Sequence, residues 1–193
     1  MTFGESVKTC FRKYAVFKGR ACRSEFWWFV LFTLIVDVAL DFVLGLFMIP
    51  LLFKGQFNAE SITSISTPFS IASLVVGLAI LLPSLGVMTR RLHDTNRSGW
   101  WVFFFYLLSL VILVVTAMFG LFSFAFGENP ANTADDFPFV LLLVLVILCL
   151  LLIAFGIVLL VWFCQRGTIG YNKYGSDPLA DTYIDVELTH VES

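Results

Sequence analysis

The sequence predicts an all-α, polytopic membrane protein: a four-transmembrane-helix bundle with an N-terminal amphipathic interfacial helix. Three observations carry that prediction. Of 193 residues, 59% are hydrophobic and only 13% charged, with a mean hydropathy of +0.92. A soluble domain of this size needs more charge to keep its surface wet. Four apolar runs are long enough for a hydrocarbon core, which takes about 20 helical residues. The basic residues are segregated to the flanks of those runs.

The elements follow in chain order. Phe3, Val7, Cys10, Phe11, Tyr14 and Phe17 recur at steps of three and four, with Lys8, Arg12 and Lys13 between them. That spacing describes a short amphipathic helix. It has two resting places: the membrane surface, with its lysines among anionic headgroups, or the protein's own cytoplasmic loops. The spans are then expected at about residues 26–50, 69–89, 100–126 and 137–164. All are read as helices because backbone in lipid must satisfy its own hydrogen bonds. Polar connectors join the first to the second (GQFNAESITSISTP) and the third to the fourth (GENPANTADD). Residues 1–180 make one membrane domain, and residues 181–193 a short acidic cytoplasmic tail.

Orientation comes from lysine and arginine. Lys8, Arg12, Lys13, Lys18, Arg20 and Arg23 precede the first span. Arg90, Arg91 and Arg97 occupy the stretch between the second and third, and Arg166 and Lys173 follow the fourth. Lys54 alone lies elsewhere, in the first outer connector. By the positive-inside rule both termini and the Arg90 loop are cytoplasmic. No cleavable signal peptide is visible, because the first apolar run is long and lacks a small-residue cleavage site.

At two points the chain enters the membrane alike, RSEFWW before the first span and RSGWW before the third. In each an arginine stays with the headgroups and a serine can cap the helix. The pairs Trp27, Trp28 and Trp100, Trp101 then serve as interfacial anchors.

Several function classes lose support. No basic excess points to nucleic acid. The four cysteines and two histidines form no C-x-x-C and no metal-ligand spacing, so neither a zinc site nor a disulfide framework is indicated. The tail glycines match no nucleotide-binding loop, and no cofactor is predicted. Two constellations remain. Asp37 and Asp41 share a helix face within the first span, where an ionised carboxylate costs about 2.5–3.5 kcal/mol. They could be protonated, hydrogen-bonded, or set to bind a cation or relay a proton. The second is RRLHDTNRSGWW, residues 90–101, in which His93 beside Asp94 resembles a base and its orienting carboxylate without a nucleophile at any known spacing.

Three stretches resemble the bacterial inner-membrane family known as domain of unknown function 805. They are FKGRACRSEFW at residues 17–27, RRLHDTNRSGWW, and CQRGTIGYNKYGSDP at residues 164–178. The likeness covers about residues 1–180. Ile169 stands where the family has proline, and the segment between the second and third motifs is longer here. The resemblance implies an integral inner-membrane protein; it assigns no activity and lends Asp37 and Asp41 no role.

Because all three motifs fall on the predicted cytoplasmic side, they can meet. The expected cluster comprises Arg20, Arg23, Glu25, Arg90, Arg91, His93, Asp94, Arg97, Asn172 and Asp177. Glu25 and Asp94 neutralise some arginines, and the tail loop covers them. The leading expectation for function is a non-enzymatic scaffold or adaptor whose cluster binds lipid headgroups or a protein partner. A small transporter or channel component using Asp37 and Asp41 in an oligomer comes second. A lipid-modifying enzyme using His93 and Asp94 comes third. Expected partners are the bilayer, particularly its anionic lipids, and a second copy or another membrane protein.

Overall fold

The computed structural model describes residues 1–54, 59–126 and 137–180. Five helices occupy them: α1 Phe3–Arg12, α2 Arg23–Lys54, α3 Ala59–Asp94, α4 Trp100–Phe126 and α5 Phe137–Cys164. No strand is present among the described residues, only an isolated bridge between Asn172 and Gly175. The acidic tail and the GENPANTADD connector lie outside the described residues.

Four helices are long and apolar enough to cross a membrane, over Arg23–Pro50, Ser66–Asp94, Trp100–Leu121 and Leu142–Cys164. Their side chains are largely uncovered by protein: Leu34, Val38, Phe42, Leu113 and Leu150 are each more than half exposed. So much apolar area is tolerable only in an apolar solvent, which makes this a polytopic membrane protein. The chain divides into two compact units, one holding residues 1–97 with the tail from Arg166, the other residues 98–165. In the first unit α2 packs antiparallel to α3, with α1 across both. In the second α4 packs against α5, where Trp101 meets Phe155 and Trp162, and Phe105 meets Phe155, edge to face.

A capping box opens α1: the Thr2 hydroxyl accepts from the Glu5 amide, and the Glu5 carboxylate accepts from the Thr2 amide. Each satisfies a backbone donor that the first turn leaves orphaned. The helix ends at Arg12, capped by Lys13, so Tyr14 and Phe17 fall outside it although their spacing continues the pattern. The buried face is Ser6 and Cys10, and it rests on the spanning helices rather than on loops. Phe3 packs on Trp28, and Phe11 on Phe29 and Phe32.

Beyond α1 the chain crosses α3 at Gly86, where a Cβ would sit 3.4 Å from the Val16 carbonyl oxygen. One turn away, Pro83 has no N–H, which leaves the Ala79 carbonyl without its helical donor. The Tyr14 hydroxyl donates to that carbonyl at 2.8 Å. Proline and glycine on α3 thus create a docking notch, and tyrosine fills its vacant hydrogen bond.

Two stretches expected as loops are helical. Residues 59–68 belong to α3 despite their serines and threonines; Thr67 returns its hydroxyl to the Thr63 carbonyl, as Ser70 does to Ser66. Such bonds keep hydroxyls satisfied inside a helix. Residues 90–94 also continue α3, because Arg91 and Asp94 pair three residues apart on one face. The chain turns afterwards in a Schellman motif: the Arg97 amide bonds the Leu92 carbonyl, and the Asn96 amide the His93 carbonyl. Asn96 takes the left-handed position at φ 59°. Ser24 lies within α2 rather than capping it and faces the Cys22 sulfur at 3.2 Å. Ser98 accepts from the Trp100 amide at 3.4 Å, a weak cap at the start of α4.

Candidate functional site

At one end of the first unit lie the start of α2, the end of α3 and the tail. Arg20, buried in the approach to α2, joins all three. Its Nε donates to Asp94 at 2.9 Å, one terminal nitrogen to the Gly170 carbonyl at 2.6 Å, and the other to the Thr168 carbonyl. Asp94 receives Arg91 on its second oxygen. Its backbone carbonyl takes the Thr168 amide at 2.9 Å and hydroxyl at 3.1 Å. A side chain at Gly167 would collide with the Asp94 carboxylate, so only glycine lets the tail pass so close.

The tail closes on itself and on α3. The Asn172 amide donates to the His93 carbonyl at 3.0 Å and to the Thr168 hydroxyl at 2.8 Å, while its oxygen accepts from the Tyr174 amide at 2.9 Å. Tyr174 stacks flat on His93, with centroids 3.8 Å apart. Asp177 accepts from the Gly170 and Leu179 amides and stands 4.0 Å from Arg20. We call this arrangement the clasp.

A second buried pair sits beneath α1. Arg90 meets Glu25 at 2.6 Å, both nearly inaccessible, and the Cys10 sulfur lies 3.9 Å from the same carboxylate oxygen. The Nε and second terminal nitrogen of Arg90 have no hydrogen-bond partner among the described residues. Burial, and then the neighbouring Glu25, push the Cys10 thiol up to about 12. It therefore stays protonated and unreactive at physiological pH. Among the described residues, His93 does not pair with Asp94 through its ring, as the sequence suggested. Its Nδ1 faces the Gly19 carbonyl at 3.2 Å and its ring lies under Tyr174.

Open beside the clasp is a pocket of about 180 Å³, lined by Cys22, Arg23, Arg91, Asp94, Arg166, Gly167, Asp177, Pro178 and Leu179. Three guanidinium groups meet two carboxylates there, and Asp94 is already bound by Arg20 and Arg91. Arg23 and Arg166 are exposed, and neither is ion-paired among the described residues. The positive end of α2, a 32-residue helix, begins at Arg23. Together these features give the pocket a positive surplus suited to an anion.

Residues 14–176 match the family described as Protein of unknown function (DUF805). The chain belongs to the DUF805 family. It is similar to the inner membrane protein YhaI of Escherichia coli K12, with 29% identity over 167 residues, covering 86% of this chain and 89% of the relative. It is equally similar to the inner membrane protein YhaH of the same strain, with 29% identity over 167 residues, covering 86% of this chain and 90% of the relative. No solved structure matches. With four spans, these relatives support a multi-pass inner-membrane protein.

In this DUF805 protein the structure brings together Arg20, Arg91, His93, Asp94, Asn172 and Asp177 in the clasp, with Arg23 at the pocket and Glu25 and Arg90 as the neighbouring pair. Arg97 closes the Schellman turn. Asp37 and Asp41 stand apart, exposed on α2 one helical turn from each other. Trp27, Trp28, Trp100 and Trp101 are all exposed near the starts of α2 and α4. Sequence reasoning missed Cys22, Arg166, Gly167, Pro178 and Leu179 in the pocket, and Thr168, Gly170 and Tyr174 in the clasp. Most of these lie inside the third quoted motif, so the motif itself was the available signal.

Proposed function

We propose that this protein is a non-enzymatic membrane adaptor whose clasp faces the cytoplasm and whose pocket holds the phosphate of an anionic lipid headgroup. The observation that carries the reading is the presence of exposed Arg23 and Arg166 in a pocket whose Asp94 carboxylate is already bound by Arg20 and Arg91. Arginine forks suit phosphate oxygens, and phosphates favour the start of a long helix. The cytoplasmic placement rests on eleven of the twelve basic residues flanking the spans on the side of the clasp. The engagement of His93 under Tyr174 and against the Gly19 carbonyl argues against lipid chemistry at this site.

Native mass spectrometry of the detergent-solubilised protein, titrated with phosphatidylglycerol and with phosphatidylcholine, tests the reading. Preferential phosphatidylglycerol adducts are expected. The double variant Arg23→Gln, Arg166→Gln weakens them about tenfold or more, the loss of a charge-assisted contact worth roughly 1.5 kcal/mol. Equal adducts with both lipids, or adducts indifferent to the variant, overturn it.

Asp37 and Asp41 support a second reading, a small transporter or channel component working as an oligomer. Two exposed carboxyls on a spanning helix are costly against lipid, so a covering helix or a water-filled path relieves them. The variant Asp37→Asn, Asp41→Asn separates the readings. Headgroup capture is unchanged if the pocket is the functional site, while a proton- or cation-coupled flux is lost if the pair is.

A further inference from the structure

We infer that the turn formed by residues 13–18 is a wedge inserted among the acyl chains of the leaflet beside the clasp. This inference stands apart from the headgroup pocket and concerns a different surface of the protein. Its basis is where the turn is fastened. Arg90 marks the charged end of α3, and Gly86, against which the Val16 and Tyr14 carbonyls lie, is about 6 Å further into the span. Ala79, which receives the Tyr14 hydroxyl, is about 16 Å in. Both attachment points belong to the membrane-crossing part of α3. The turn is therefore fastened about one to three helical turns inside the charged end of α3.

Its composition fits that level. Tyr14, Val16 and Phe17 are all exposed, each at close to 40% of its surface. Lys13 and Lys18 flank them, and their stems are long enough to return the ammonium groups to the phosphates. Trp27 and Trp28 on α2 are exposed to a similar extent and supply further aromatic surface on the same unit. A water-facing turn with this sequence would leave three large apolar groups hydrated. A turn buried by about 5–10 Å in the interface places them in hydrocarbon and leaves the cations outside.

Photo-crosslinking in native membranes tests the inference, with benzoylphenylalanine placed at Phe17, at Leu113 or at Tyr171. Leu113 lies on the exposed face of spanning helix α4, and Tyr171 is 83% exposed in the tail. The expected result is a phospholipid adduct at 17, as at 113, and none at 171. An adduct from 17 to a second copy of the chain or to another protein overturns the wedge. So does the absence of a lipid adduct at 17 when 113 gives one.

Discussion

Asp94 shows how much of this protein rests on single side chains. Its carboxylate binds Arg20 and Arg91, and its carbonyl binds Thr168. Nothing but hydrogen fits at Gly167 beside it. The substitution Gly167→Ala is expected to push the carboxylate off its arginines and destabilise the first unit by roughly 1–3 kcal/mol, the usual cost of overpacking. Faster hydrogen exchange at the Thr168 amide would register it, and unchanged protection there would refute the account. Asp94 was legible in the sequence as an arginine partner, because charge at that spacing implies pairing. Gly167 was not, since a glycine's necessity depends on what the fold brings against it. Cys10 was visible only as one apolar position among several; its place beside Glu25 requires knowing that α1 folds back onto α2.

The spanning helices were the readable elements, because lipid imposes a length and a composition that few other structures share. Boundaries set by tertiary contacts were less readable. The aromatic spacing of α1 runs on through Tyr14 and Phe17, yet the helix stops at Arg12, where Tyr14 is drawn instead to the carbonyl that Pro83 releases. Similarly, the serines and threonines after residue 59 resemble a loop until their hydroxyls are seen bonding within α3. The Tyr14–Ala79 bond yields an element-scale prediction. Tyr14→Phe is expected to cost about 1 kcal/mol in wild-type background. It is expected to cost less beside Pro83→Ala, where an alanine N–H returns to the Ala79 carbonyl. A double-mutant cycle read by chemical or thermal unfolding checks this, and equal costs in both backgrounds would remove the docking role assigned to the proline.

At the scale of the whole molecule, the segregation of basic residues and the clasp make one joint statement about sidedness. Arg20, Asp94 and Thr168 touch, so the stretches carrying them share a compartment. The GENPANTADD connector is expected in the opposite one. A green fluorescent protein fused after residue 193 is expected to fluoresce, as it does only in the cytoplasm. A protease site inserted at Asn132 is expected to be cut from outside in spheroplasts. A dark fusion with an uncut insertion would invert the topology. The sequence carries an expectation of sidedness because the positive-inside rule depends on summed charge. It could not supply the pocket, whose walls come from positions far apart in the chain.

The sites on Arg20 that are filled by Thr168 and Gly170 also impose a timetable. Translation delivers those two carbonyls only after every span has left the ribosome, so until then the guanidinium holds Asp94 but lacks its remaining acceptors. A chain cut short ahead of Thr168 leaves the buried Arg20 guanidinium without two of its carbonyl acceptors, a cost met only when synthesis is complete.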